Sequence, residues 1–275
     1  MTQTDPEWFQ TSVAALTQHQ TLRVWSVIVT LFGDLALGTD SRVSGALMSR
    51  ILEPAGLRPE AIRVALHRLR GEGWITSQRR GRTSHYALTR FGVEQSEAAS
   101  PRIYSRAQPA LTTCHVAVLP PMSQADRTEA ETPLLEAGYS ALGSGVYFGT
   151  VAPPENPDLF CIGAFADDMH LPGWLRNQLG TPSRIAAYRQ LEAALDLVAE
   201  QLPKTGLTPL QTASLRVLIV HDWRRVLLSH ADLPDSFFPD NWPGGRCRAK
   251  VMDLLDRLPR PALDLLEEDL TRQAA

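Results

Sequence analysis

Cysteine is scarce in this 275-residue chain, and the three that occur, Cys114, Cys161 and Cys247, are far apart and form no C-x-x-C pair. An odd, scattered set argues against a disulfide framework and against a thiolate zinc site, so reduced structural thiols are expected. Lysine is scarcer still. Lys204 and Lys250 are the only two, so nearly all positive charge rests on arginine, which makes planar forked contacts that lysine cannot. No run approaches the ~20 apolar residues of a membrane span, and the opening MTQTDPEWFQ is acidic without a long apolar core. Neither a span nor a signal peptide is expected, and a cytoplasmic address follows. There is no G-x-S-x-G nucleophile turn and no Asp/Glu/His cluster at metal-ligand spacing, which argues against catalysis and leaves no cofactor or metal expected.

What is present is a globular composition, 44% hydrophobic, long enough for two or three domains. The net charge of -3 conceals a division. Up to Arg106 there are thirteen arginines against nine acids, and beyond it fourteen basic residues against twenty-one acids. A basic front joined to an acidic rear points to a nucleic-acid-facing end on an otherwise ordinary protein.

The segment LRPEAIRVALHRLRGEGWITSQRRGRTSHYAL, Leu57 to Leu88, carries the most information. Pro59 opens a helix where its missing N–H costs nothing, and Ile62, Ala65, Leu66 and Leu69 recur on one face. Arg63, His67 and Arg70 share the opposite face, with Glu60 and Arg68 beside them and Arg58 just before the helix. Gly71 and Gly73 stop it. A strand from Trp74, a turn Arg79-Arg80-Gly81-Arg82 and a returning strand Thr83 to Leu88 then form a hairpin with arginines at its tip. A helix of this kind fits a major groove, and an arginine-tipped hairpin suits phosphates or a minor groove. The structural alternative is a solvated helix face followed by an ordinary charged turn. Upstream, Leu22 to Leu37 reads as a mostly apolar helix and Ser44 to Leu52 as a short second one, closed by Glu53-Pro54-Ala55-Gly56. Helix, helix, turn, helix, hairpin is the order of a winged helix-turn-helix.

Beyond the hairpin, Glu97-Ala98-Ala99-Ser100-Pro101 reads as a linker. A small αβ layer follows: an apolar run Cys114 to Leu119, a helix Gln124 to Ala137, and strands Gly145 to Gly149 and Leu159 to Phe165. From Leu171 the pattern is helical, with helices over Arg184 to Leu202, Leu207 to Ser229 and Arg246 to Leu258. The expected fold class is α+β, with an extension over 1–21, a winged helix and linker over 22–106, a small αβ domain over 107–170 and a helical domain over 171–275.

On the helix Leu207 to Ser229, Asp222 falls on the stripe of Leu215, Leu218, Ile219 and Val226. Burying a bare carboxylate costs several kcal/mol, so Asp222 is expected to accept from an arginine, Arg225 or Arg246. One reading is a structural ion pair. The other is an effector pocket in which Tyr188, Trp223 and Trp242 wall an aryl group while His221, Arg224 and Arg225 meet phosphates or a carbonyl. The loop Leu233 to Gly244 holds three prolines and is expected to be stiff and packed.

Several of these stretches resemble the PaaX family of transcriptional repressors. The likeness rests on FGDLAL (Phe32 to Leu37), AIRVALHRLRGEGWI (Ala61 to Ile75), the Arg-Gly-Arg-x-Ser-x-Tyr-x-Leu-Thr pattern (Arg80 to Thr89), Arg102-Ile103-Tyr104, and HDWRRVLLSHADLPDSFFPDNWPG (His221 to Gly244). It implies an N-terminal winged helix, a ferredoxin-like middle domain akin to the small CRISPR-associated nucleases, and a helical C-terminal domain. It also implies a homodimer on a palindromic operator, relieved by an aryl-CoA thioester such as phenylacetyl-CoA. Two departures bear on the inducer: His230-Ala231-Asp232 stands where the motif has Asp-Pro, and Trp223 where many members have Tyr. The first middle strand, Cys114 to Pro120, offers no terminal Asp as a metal ligand, which argues against inherited nuclease activity.

The expected function is therefore a ligand-responsive repressor, not an enzyme, with Arg58, Arg63, His67, Arg68, Arg70, Arg79, Arg80 and Arg82 on DNA. The alternative from the enzyme class is a nucleic-acid-processing or CoA-thioester-hydrolysing protein whose winged helix only docks substrate. A third is a protein-interaction module, which a weak salt dependence would reveal.

Overall fold

The computed structural model describes residues 5–19, 21–81, 83–108, 111, 113–165 and 169–274, without the side chains of 271, 273 and 274. In chain order the elements begin α1 (Glu7–Thr17), α2 (Val24–Leu35), β1 (Val43–Ser44), α3 (Gly45–Leu52) and α4 (Pro59–Gly71). Next come β2 (Ile75–Arg80), β3 (Thr83–Leu88), α5 (Arg90–Tyr104), β4 (Thr113–Val118), α6 (Gln124–Glu136), β5 (Ser140–Gly143), β6 (Val146–Gly149) and β7 (Phe160–Phe165). The chain closes with α7 (Gly173–Leu179), α8 (Pro182–Gln201), α9 (Pro209–Leu227), α10 (Gly244–Arg257) and α11 (Leu263–Ala274). The architecture is mixed α+β with two small antiparallel sheets. Among the described residues no helix is long and apolar enough to cross a membrane.

Two compact units divide the chain, one of residues 1–104, 190–224 and 246–275, the other of 105–189 and 225–245. In the first, α2 is apolar on nearly every side and buries Val27, Ile28, Leu31 and Phe32. Its core takes in the α4 stripe Ile62, Ala65, Leu66 and Leu69, the inner face of α3, and Ile75 and Leu88 of the hairpin. Residues from far along the chain complete it: Ala213 and Val217 of α9, and Leu266 of α11. The hairpin pairs Ile75 with Leu88 through to Arg80 with Thr83, and β1 adds a third strand beside β3. Gly81 turns the tip with φ 60°.

Ser44 starts α3 by accepting from the Leu47 N–H at 3.0 Å, which satisfies one of the orphan donors of the first turn. Its own N–H and hydroxyl donate to the two carboxylate oxygens of Glu267 on α11, at 2.7 and 2.9 Å. The C-terminal helix thus holds the start of the short second helix of the front.

The stretch expected to be a linker is the second half of α5. Alanine and glutamate favour helix, and Ser96 and Ser100 turn their hydroxyls onto the carbonyls of Gly92 and Ser96, both at 2.8 Å, so small polar residues support the helix here. Gly92 is required near its start, since a Cβ there would collide with the Trp74 carbonyl oxygen.

In the second unit the sheet order is β5-β6-β4-β7, antiparallel throughout. Helix α6 gives Leu134 to a small core with Ala117, Leu119, Tyr139 and Tyr147. The proline-rich loop is packed, as its stiffness predicts. Phe237 meets Phe148 of β6, and Phe238 stacks on Trp242 with centroids 4.1 Å apart. The Asp235 carboxylate accepts from the Gly245 N–H at 2.9 Å and fixes the loop's far end.

Candidate functional site

Helix α4 is sharply two-sided. Its apolar stripe is buried, while Arg58 at its N-cap and Arg63, His67, Arg68 and Arg70 along it are exposed. Arg63 meets Glu60 at 2.8 Å in a largely exposed pair, an interaction worth ~0–1 kcal/mol and easily exchanged for a phosphate or base edge. Arg68 is held more firmly, by Glu72 at 2.7 Å and over the ring of Trp25 at 5.3 Å. Arg58, His67, Arg70 and Arg80 make no side-chain hydrogen bond or ion pair among the described residues, so their donors face solvent. Val64 also lies on this outer face and is 71% exposed. It was not singled out from the sequence, although its place between Arg63 and His67 is the available signal.

At the hairpin, Arg79 and Arg80 are exposed, and Arg79 donates from Nε to the Gly81 carbonyl at 3.1 Å. Arg82 lies outside the described residues.

The rear residues fall into separate settings. In the second unit Tyr188 and Trp242 are buried in an aromatic cluster: their rings lie 4.6 Å apart, and the Tyr188 hydroxyl bonds His230 Nε2 at 2.7 Å. Arg225 is exposed. In the first unit Trp223 is 1% exposed, donates its indole N–H to the Ile103 carbonyl at 2.9 Å, and lies under Arg248 at 5.4 Å. Asp222 is buried, as its place on the stripe requires, and is not without a partner. Arg246, one of the donors considered for it, grips Glu192 through Nε and Nη2 at 2.8 and 3.2 Å. His221 is buried, with its ring 3.4 Å from the Thr30 hydroxyl. Arg224 lines a shallow, water-sized cleft within the first unit, beside Val29, Thr30, Gly33 and Val220.

The cysteines are free thiols; Cys114 and Cys247 are buried and Cys161 half-buried. Burial pushes the Cys247 thiol up to about 12 and the Cys114 thiol upward as well. Among the described residues no group of three or more His, Cys, Asp and Glu is placed to hold a metal ion.

Comparison with known proteins matches two stretches to one family. Residues 23–92, which contain α2 to β3, match the family described as PaaX-like protein, and residues 183–268 match the PaaX-like protein C-terminal domain. The transcriptional repressor PaaX of Escherichia coli (strain K12) is 24% identical over 270 residues, covering 88% of this chain and 83% of that protein. The solved structure of the uncharacterized protein Rv0674 from Mycobacterium tuberculosis shares the fold with a TM-score of 0.55 and 17% identity, over 90% of this chain and 100% of that one. With both of its regions matched in order along one chain, this protein belongs to the PaaX family.

Proposed function

We propose that this protein is a ligand-responsive transcriptional repressor that binds operator DNA through a winged helix made of α2, α3, α4 and the β2–β3 hairpin. The observation that carries the reading is the two-sidedness of α4: four apolar side chains are sunk in the core while Arg63, His67, Arg68 and Arg70 stand outward beside an arginine-bearing hairpin. In a major groove Arg63 would fork onto guanine O6 and N7, and Val64 would meet a thymine methyl. Arg58, Arg68, Arg70, Arg79, Arg80 and Arg82 would hold flanking phosphates. The name of the Escherichia coli relative supports the repressor assignment.

The sheet order of the second unit supports a ferredoxin-like middle domain. A homodimer would set two reading helices an integral number of turns apart on a palindrome, and an aryl-CoA thioester is the effector class that the family resemblance implies. Whatever the effector, it must bind the non-operator state more tightly, and a tenfold loss of operator affinity needs a preference of about 1.4 kcal/mol.

Fluorescence anisotropy on a labelled duplex from the protein's own upstream region tests the reading. Binding that exceeds a scrambled duplex and falls steeply with salt is expected; equal, salt-insensitive signals on both would contradict it.

A further inference from the structure

Helix α4 places an acid, not an arginine, at the middle of its outward face. At about 100° per residue, the buried stripe Ile62, Ala65, Leu66 and Leu69 is centred nearly opposite the line Glu60, Val64, His67 and Gly71. Arg63 and Arg70 fall to one side of that line, and Arg68 to the other. Glu60 is therefore the first side chain of the helix to point straight out. In a helix-turn-helix the first residues of the reading helix meet base edges, and a carboxylate there is repelled by the phosphates that flank the groove. Its position costs general affinity for DNA.

The partner of Glu60 shows what offsets that cost. Glu60 Oε1 accepts from Arg63 Nη2 at 2.8 Å, and Arg63 Nε donates to the Pro59 carbonyl at 3.4 Å, so both acceptors lie along the Nε and Nη2 edge of the guanidinium. The end formed by Nη1 and Nη2 is left open. Glu60 Oε2 likewise makes no hydrogen bond among the described residues, so the pair presents a forked donor with an acceptor beside it. A G·C base pair presents the complement: guanine N7 and O6 accept, and the cytosine N4 amino group next to them donates. Because O6 and N4 are hydrogen-bonded to each other, they lie about 2.9 Å apart, close to the spacing of the protein's own donor and acceptor. Guanine need not displace Glu60. An A·T pair sets its donor between its two acceptors and offers no such match.

We propose that Glu60 is a base-reading residue: with Arg63 forked onto guanine, Glu60 Oε2 accepts from the cytosine N4 amino group of the same base pair, and the two side chains read one G·C pair as a unit. This rests on the DNA-binding reading of α4 and names the base pair that its first turn selects. General affinity is lowered and discrimination is gained, since a wrong base pair leaves one or both groups unsatisfied.

The test is fluorescence anisotropy with the full-length protein on its own upstream duplex, on that duplex with each base pair replaced in turn, and on a scrambled duplex. Glu60→Ala is expected to bind the scrambled duplex more tightly than the parent does and to lose about tenfold preference at one G·C pair. Glu60→Gln, whose amide fits adenine N6 and N7, should admit A·T at that pair. Arg63→Ala should lose preference at the same pair, and the double variant little more than either alone. Both side chains are exposed, so these changes leave the buried stripe intact. If Glu60→Ala tightens every duplex equally, or if the Glu60 and Arg63 variants map to different base pairs, the proposal falls while the repressor reading stands. A parent protein that binds its own upstream duplex no better than the scrambled one removes the repressor reading and this one with it.

Discussion

Asp34 and Arg216, 182 residues apart in the chain, form a two-pronged ion pair in the core of the first unit, at 2.9 and 2.8 Å. Asp34 is fully buried and also accepts from the Tyr104 hydroxyl at 3.0 Å, and Arg260 approaches it at 3.6 Å. The pair ties α2 of the proposed reading head to α9, within the same core that Val217 and Leu266 complete. The front of the chain is therefore not packed as a free-standing module.

Removing one partner leaves an uncompensated charge. Asp34→Ala is expected to cost about 3–5 kcal/mol in urea unfolding, because the Arg216 guanidinium stays buried. Tyr104→Phe, which removes one hydrogen bond to the same carboxylate, should cost about 1 kcal/mol. Equal, small losses for both would show that the pair does not hold the core.

The Ser44–Glu267 contact makes a second link testable. Glu267→Ala withdraws the acceptor of both the Ser44 N–H and its hydroxyl, with an expected loss of about 1–3 kcal/mol. Operator affinity should fall with it if α3 braces α4, measured at a temperature where the variant is fully folded.

The Glu192 carboxyl supplies a pH dependence. Its hydrogen bond from Arg246 holds it below the usual carboxylate range; burial opposes this, and Lys250 adds to it. A lowered value means stability present above the unfolded value of 4.5 and lost as pH falls below it. Glu192→Gln should thus be less stable than the parent at pH 7, with the gap closing on acidification. A gap that widens toward acid would reverse the sign and refute the assignment.

Thiol chemistry distinguishes the three cysteines. With Cys247 pushed up to about 12 and Cys114 also raised, one fast-reacting thiol, Cys161, is expected in the native protein at pH 8, and all three after unfolding. Three fast thiols in the native state would contradict the burial of the other two.

Much of the front was legible from periodicity. Ile62, Ala65, Leu66 and Leu69 are all buried, because a single turn-spaced stripe has one way to face a core. Helices α1 and α11 escaped notice although Phe9, Val13 and Leu16, and Leu263, Leu266 and Leu270, carry the same spacing; their acidic surroundings masked it. The second half of α5 was misread because alanine, serine and proline together look like a linker until the serines find their helix carbonyls. The candidate effector residues were hardest to judge. Aromatic identity marks Tyr188, Trp223 and Trp242, yet whether a ring walls a pocket or fills a core depends on distant partners such as His230 and Arg248. That Arg224 pairs with no carboxylate among the described residues is likewise invisible in one dimension, since Asp34 could have been assigned to any of the three arginines of α9.

The two kinds of DNA contact predict different losses. Arg63→Ala is expected to cost about 1–3 kcal/mol at one base pair and relax preference there, and Val64→Ala to weaken preference without lowering Tm. Uniform losses on every sequence would demote Arg63 to a phosphate contact.

The most direct measurement is the salt dependence of operator affinity for the parent and for Arg80→Ala. The log–log slope for the parent should be steep and should become shallower by about one unit in the variant, as one phosphate contact is lost. A flat slope for the parent, or an unchanged one in Arg80→Ala alongside unaltered affinity in Arg63→Ala, would contradict DNA binding through the outer face of α4 and its hairpin.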